Sequence, residues 1–199
     1  MGYFPYDERL KPIYNYCSEN NLSVISHCSP SNSVNYRGSK SDLKNLLSHS
    51  IEPINWNLSI KELSSTLTHP KNYKYVLEEF PDLKICLAHF GSDYYWNRYL
   101  TYPGEEDNWF VIIKQMIEDY PNLYTDISFT LNNRDFFPLL NVILENQSIR
   151  EKVLFGSDYY MVSSNTDERR FGIELRSFIG EEKFDYIANI NAKRFLGFL

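Results

Sequence analysis

Apolar residues along this 199-residue chain follow two alternating patterns. Some recur at helical spacing, as do Leu10, Ile13, Tyr14 and Cys17 after Asp7. Others gather in short dense runs: LSVISHC at 22–28, KICLAHF at 84–90, LYTDISF at 123–129 and KVLFGSD at 152–158. Each dense run has the length and β-branched or aromatic content of a buried strand. Helical spacing predicts helices over 7–20, from His69-Pro70 to about Phe80, and over 108–119, 134–147, 166–179 and 181–196.

Two helix-to-strand junctions are alike, EEFPDLKICLAHF and EDYPNLYTDISF, as expected of repeated βα units. Strands alternating with helices imply a parallel α/β sheet with right-handed crossovers. A doubly wound sheet and part of a barrel both fit that alternation. Two stretches depart from it. Residues 29–68 are rich in Ser and Asn, with short helices expected near 41–49 and 59–67, and read as a long loop insertion after the first strand. Residues 91–107 form a second, polar and aromatic excursion. The whole chain, 1–199, reads as a single domain.

Parallel sheets collect ligands at the carboxyl ends of their strands. His27, His89 and Asp158 each follow a dense run at that position, and Asp126 falls slightly inside the third. A single His after a strand is ordinarily a hydrogen-bonded structural residue, and Gly-Ser-Asp can simply form a turn. Three suitable groups at three equivalent positions point instead toward a metal centre. His69 is better explained as a helix-start residue before Pro70, and Asp126 as a partner for a neighbouring loop.

Composition narrows the partners. The net charge of −6, with Lys and Arg scattered among Asp and Glu, argues against nucleic acid, which needs clustered cations. No apolar stretch has membrane-spanning length, and the opening MGYFPYDERLKP does not read as a signal peptide. Three cysteines without CxxC spacing indicate neither a disulfide framework nor a zinc ribbon. A cytoplasmic protein acting on a small molecule is the expectation.

The strings FPDLKICLAHFG, NLYTDIS, KVLFGSDYYM and NAKRFLGF together resemble the amidohydrolase-related family of metal-dependent TIM-barrel proteins. That family includes hydrolases and nonoxidative decarboxylases of the aminocarboxymuconate-semialdehyde type. The segment GYFPYDERLKPIYNYCSENNLSVISHC is similar to its passage into the fifth strand. The resemblance implies an α/β fold, a partial (β/α)8 barrel comprising roughly strands 5 to 8 with their helices and lacking the N-terminal half. It implies His27, His89 and Asp158 as metal ligands, with Asp158 and His89 catalytic. The implied cofactor is a divalent metal, most often zinc. The family's first-strand His-x-His pair has no counterpart among the four histidines.

What the resemblance implies mechanistically is metal-activated water attacking a carbonyl-type carbon, with Asp158 accepting the water's proton. A decarboxylase would instead use the metal to orient its substrate, and a non-catalytic remnant of the fold is the third reading. Arg98 and Arg37, in the two excursions, are candidate partners for a substrate carboxylate, although surface ion pairs suit either. An unclosed sheet would expose backbone groups at both edges, so the chain is expected either to pair its edges with another copy, as a homo-oligomer, or to be marginally stable.

Overall fold

All four dense runs become strands in the computed structural model, which describes residues 3–30, 38–163 and 167–199. They are β1 (Val24–His27), β2 (Ile85–Ala88), β3 (Leu123–Asp126) and β4 (Val153–Leu154). The strands pair in parallel in the order β1-β2-β3-β4, with His27 level with Ala88 and Asp126 level with Leu154. That order contains no reversal, so the sheet lacks the switch point of a doubly wound fold. It is the succession found between neighbouring strands of a barrel.

Register divides the side chains between two faces. Val24, Ser26, Ile85, Leu87, Leu123, Thr125 and Val153 point to one face, where the helices pack. Four of the apolar ones, Ile85, Leu87, Leu123 and Val153, are at most 1% exposed. Removing each such side chain from water contributes about 1.5–3 kcal/mol before conformational entropy is charged against it. Even the polar members are satisfied: the Thr125 hydroxyl donates to the Leu87 carbonyl at 2.6 Å, and the Ser26 and Tyr73 hydroxyls are 2.5 Å apart.

The opposite face carries Ile25, His27, Cys86, Ala88, Tyr124, Asp126 and Leu154. Part of it is covered, Ala88 being 6% exposed. Phe195 packs on Cys86, Tyr124 and Leu154, its ring centroid 5.1 Å from that of Tyr124. Lys84 Nζ donates to the Arg194 carbonyl at 3.3 Å and the Ser23 hydroxyl to the Phe195 carbonyl, which holds the C-terminal segment at the amino end of the strands. Toward β1 the face is open among the described residues, and Ile25 is 65% exposed.

The helices start where local chemistry allows. Helix α1 (Lys11–Glu19) has Pro12 in its first turn. Within the first excursion lie α2 (Lys40–Leu47) and α3 (Ile60–Ser65), each opened by a capping box, Ser39 with Asp42 and Ser59 with Glu62. Their Leu43, Leu47 and Leu63 form a small core with Phe4 and Leu67. Helix α4 (Asn72–Glu79) leads to β2. The second excursion differs from expectation, since residues Ser92–Thr101 form helix α5. Trp96, spaced four residues from Ser92, is fully buried and donates to the Phe90 carbonyl at 2.8 Å; that burial overrides an aromatic-rich sequence of modest helix propensity.

Helix α6 (Trp109–Asp119) is capped by Asn108, whose side chain accepts from the Phe110 N–H. Then come α7 (Phe137–Ile143), α8 (Gln147–Arg150), α9 (Tyr159–Val162), α10 (Glu168–Ile179), α11 (Glu181–Asp185) and α12 (Asn191–Phe195). A π-helical turn, Tyr186–Ile190, joins the last two.

The two sheet edges are not equivalent, contrary to the expectation that both lie bare. At β4 the Phe155 N–H donates to the Ile187 carbonyl at 2.9 Å, and Asn191 Nδ2 donates to the Val153 carbonyl at 2.8 Å. The C-terminal helices therefore satisfy that edge. At β1, Val24 directs its backbone toward β2, so Ile25 faces outward, and no hydrogen bond meets the Ile25 backbone there among the described residues.

Candidate active site

The strand ends gather the sequence-predicted groups at one end of the sheet. His27 closes β1, His89 directly follows β2, Asp126 closes β3, and Asp158 lies four residues beyond β4. The His27 and His89 rings meet edge to face with centroids 4.8 Å apart. Loss of water around the His27 ring, then the neighbouring His89, hold the His27 pKa below its ordinary 6.5, against the pull of the Asp158 and Asp126 carboxylates.

The backbone around these residues is strained. Five of the six non-glycine residues with positive φ among those described are His89, Phe90, Ser92, Phe129 and Asp158, all just past strand ends. Gly91, also at positive φ, lies so close to α6 that a Cβ there would meet the Phe110 nitrogen at 2.7 Å. The His89 turn is held by surrounding polar groups. Its N–H donates to Asp126 Oδ1 at 3.0 Å, and its carbonyl accepts from the Thr130 hydroxyl at 2.6 Å.

Asp126 binds a neighbouring loop, as expected from its place in the strand, and there it joins Ser128, which carries no motif of its own in the sequence. The Ser128 N–H donates to Asp126 Oδ1 at 3.0 Å, the Ser128 hydroxyl bonds the same oxygen, and both the hydroxyl and the carbonyl of Ser128 lie 3.0 Å from His89 Nδ1. The only sequence signal was a hydroxyl two residues after a strand-end carboxylate. Cys86 faces the same carboxylate at 3.7 Å, and burial with that charge pushes its thiol pKa well up.

His69 is occupied at both ring nitrogens. Nε2 lies 3.3 Å from Asp107 Oδ1, and Nδ1 accepts from the Lys71 N–H at 3.2 Å, which agrees with a structural role. Arg98 pairs with Glu105 at 2.7 and 2.8 Å and lies over the Tyr102 ring. Arg37 lies outside the described residues. A cavity of about 590 Å³ opens where the two excursions meet, between Ser59, Thr66 and His69 on one side and Tyr94, Tyr95 and Trp109 on the other. Tyr95 stacks on Trp109 with centroids 5.3 Å apart.

The two imidazoles suit a divalent metal by ligand type and proximity. Yet among the described residues no three His, Cys, Asp or Glu side chains gather closely enough to hold one, so Asp158 does not complete a three-ligand set with them. No described helix is long and apolar enough to cross a membrane.

The sheet and its strand-end groups define an α/β protein of the kind seen in TIM-barrel amidohydrolases. The amidohydrolase family model matches residues 1–198, and the chain belongs to that family. It is similar to an uncharacterised TIM-barrel protein from Bordetella bronchiseptica, with 22% identity over 96% of this chain and 51% of that one, at a TM-score of 0.56. The 5-carboxyvanillate decarboxylase of Sphingomonas paucimobilis is 16% identical, over 98% and 55%, at a TM-score of 0.53. A dihydroxybenzoic acid decarboxylase from Polaromonas, solved with manganese and 2-nitroresorcinol, is 15% identical, over 98% and 55%, at 0.51. The chain thus spans little more than half the length of these structures. No curated protein is a significant match.

Proposed function

We propose that this chain contributes the His27, His89 and Asp158 side of a metal-dependent amidohydrolase site acting on a small, carboxylate-bearing molecule. The observation that carries this reading is the contact of two imidazoles at adjacent strand ends, centroids 4.8 Å apart, on the sheet face left open. In this reading the sheet is the later half of a (β/α)8 barrel, corresponding to strands 5 to 8. Further strands cover the open face and bring the missing ligands. A divalent cation, zinc or manganese, would be held through the two histidines and would supply Lewis acidity.

The chain's own residues have separate tasks. His27, on the open face, and His89, whose ring meets it, would each offer one ring nitrogen to the cation. Asp158, partly exposed after β4, is available to hold a proton next to the reacting group. The aromatic cavity between the excursions offers a volume ordinary for a small ligand, and Arg98, if released from Glu105, would supply a carboxylate contact. Hydrolysis at a carbonyl-type carbon is the first reading. Decarboxylation is the second, favoured because similar folds include decarboxylases of carboxyvanillate and dihydroxybenzoate.

The test is product analysis by mass spectrometry on protein purified from its native source, across a panel of small amides, esters and aromatic carboxylates, with and without chelator. Chelator-sensitive gain of water supports hydrolysis, and chelator-sensitive loss of carbon dioxide supports the second reading. Turnover that survives the chelator, or none across the panel, overturns both.

A further inference from the structure

The polar groups behind His89 leave only one self-consistent arrangement of protons. Asp126 Oδ1 receives three donors, the His89 N–H, the Ser128 N–H and the Ser128 hydroxyl, and a carboxylate has no proton to return. The single Ser128 hydroxyl proton is therefore spent on Asp126. What Ser128 turns toward His89 Nδ1 is then a lone pair on Oγ and a carbonyl oxygen, both at 3.0 Å and both acceptors. Two acceptors require a proton on Nδ1. In the neutral ring Nε2 is then bare, and no described residue occupies it.

We propose that Asp126 and Ser128 are positioning residues that fix His89 in the Nδ1–H tautomer, so that Nε2 is presented as a lone pair at the strand ends. This deepens the proposed metal-dependent function and rests on it for its use, because only an unprotonated Nε2 can accept a metal ion or a proton there. Asp126 also fixes the ring's place through the His89 N–H, holding a backbone at φ 72° that would otherwise relax. The fourth strand supports the same arrangement: a Cβ on Gly156 would come within 3.2 Å of Ser128 Cβ, so the loop after β4 packs directly against the serine.

The readout is the ring-nitrogen tautomer of His89 in the metal-free chain, measured by 15N–1H correlation NMR above the titration range. Imidazole side chains in water favour Nε2–H, so the expected result is an inversion, with Nδ1–H in roughly five- to tenfold excess. Asp126→Asn keeps an acceptor oxygen and should retain the inversion. Asp126→Ala frees the Ser128 hydroxyl to donate to Nδ1, leaving only the Ser128 carbonyl to hold the proton there, and should lower the Nδ1–H excess toward Nε2–H. If Asp126→Ala does not fold, Gly156→Ala, which displaces Ser128, should shift the ratio in the same direction. Nε2–H in the unaltered protein, or an unchanged Nδ1–H ratio in the folded Asp126→Ala or Gly156→Ala protein, overturns the proposal. Because the spectrum is taken without metal or substrate, a confirmed inversion in a protein without chelator-sensitive turnover would sink the proposed function and leave this inference standing.

Discussion

On one face of the sheet Ile85, Leu87, Leu123 and Val153 lie sealed beneath helices; on the other, Ile25 is 65% exposed beside His27. Both faces belong to the same strands, so backbone pairing cannot explain the contrast. The first face carries most of the burial that holds this chain together. The second carries the groups with chemistry and is covered by Phe195 over Cys86, Tyr124 and Leu154 but left open at Ile25 among the described residues. Stability and candidate function are thus separated by the pleat of the strands, and substitutions should divide accordingly.

The largest effect should come from the sealed face. Leu87→Ala should lower unfolding free energy by about 2–5 kcal/mol in urea titration, as a cavity left beneath packed helices does. A loss below about 1 kcal/mol would break the comparison. Phe195→Ala should cost about 3 kcal/mol, because it removes the ring packed on Cys86, Tyr124 and Leu154. If that variant is as stable as the parent, the patch does not contribute to folding.

A smaller, pH-dependent effect belongs to His27. Its pKa is lowered in the folded chain, so the fold favours the neutral ring and the unfolded chain takes up the proton first as pH falls. Stability of the metal-free protein should therefore decline below about pH 6.5, toward the lowered value, and level off beneath it. Urea midpoints between pH 8 and 5 should fall less steeply in His27→Gln; identical slopes would show that His27 is unperturbed. The smallest effect is expected at Ile25→Ala, within about 0.5 kcal/mol for the chain alone. A loss well above that would mean that the face is covered in solution, as by a second copy pairing along β1.

Much of this was legible in the sequence because parallel strands buried beneath helices leave dense apolar runs, and the residues after them fall at strand ends by construction. His27 and His89 were found that way. Helix α5 was not, since Asp93, Tyr94 and Tyr95 suit a loop as well as a helix until Trp96 is seen buried under Phe90 and Phe110. Nor was the Asp126–Ser128–His89 network, because it depends on the positive φ of His89 and on two loops approaching each other, neither of which has a periodic signature. The capping of the β4 edge by Ile187 and Asn191 arises from a π-helical turn that interrupts one expected helix. That Asp158 and the two imidazoles form no close three-residue donor set among the described residues turns on side-chain placement past the strand ends, which spacing along the chain does not report.

In the proposed function the His27–His89 pair is part of a metal site whose remaining ligands lie on strands that cover the open face. Equilibrium dialysis of the purified chain against zinc or manganese, with bound metal quantified by mass spectrometry, tests it most directly. Weak binding that dialysis removes is expected, weakened in His27→Ala by more than the roughly tenfold that loss of an outer-shell partner costs. One equivalent of metal held tightly by the monomeric chain, with or without His27, would contradict it.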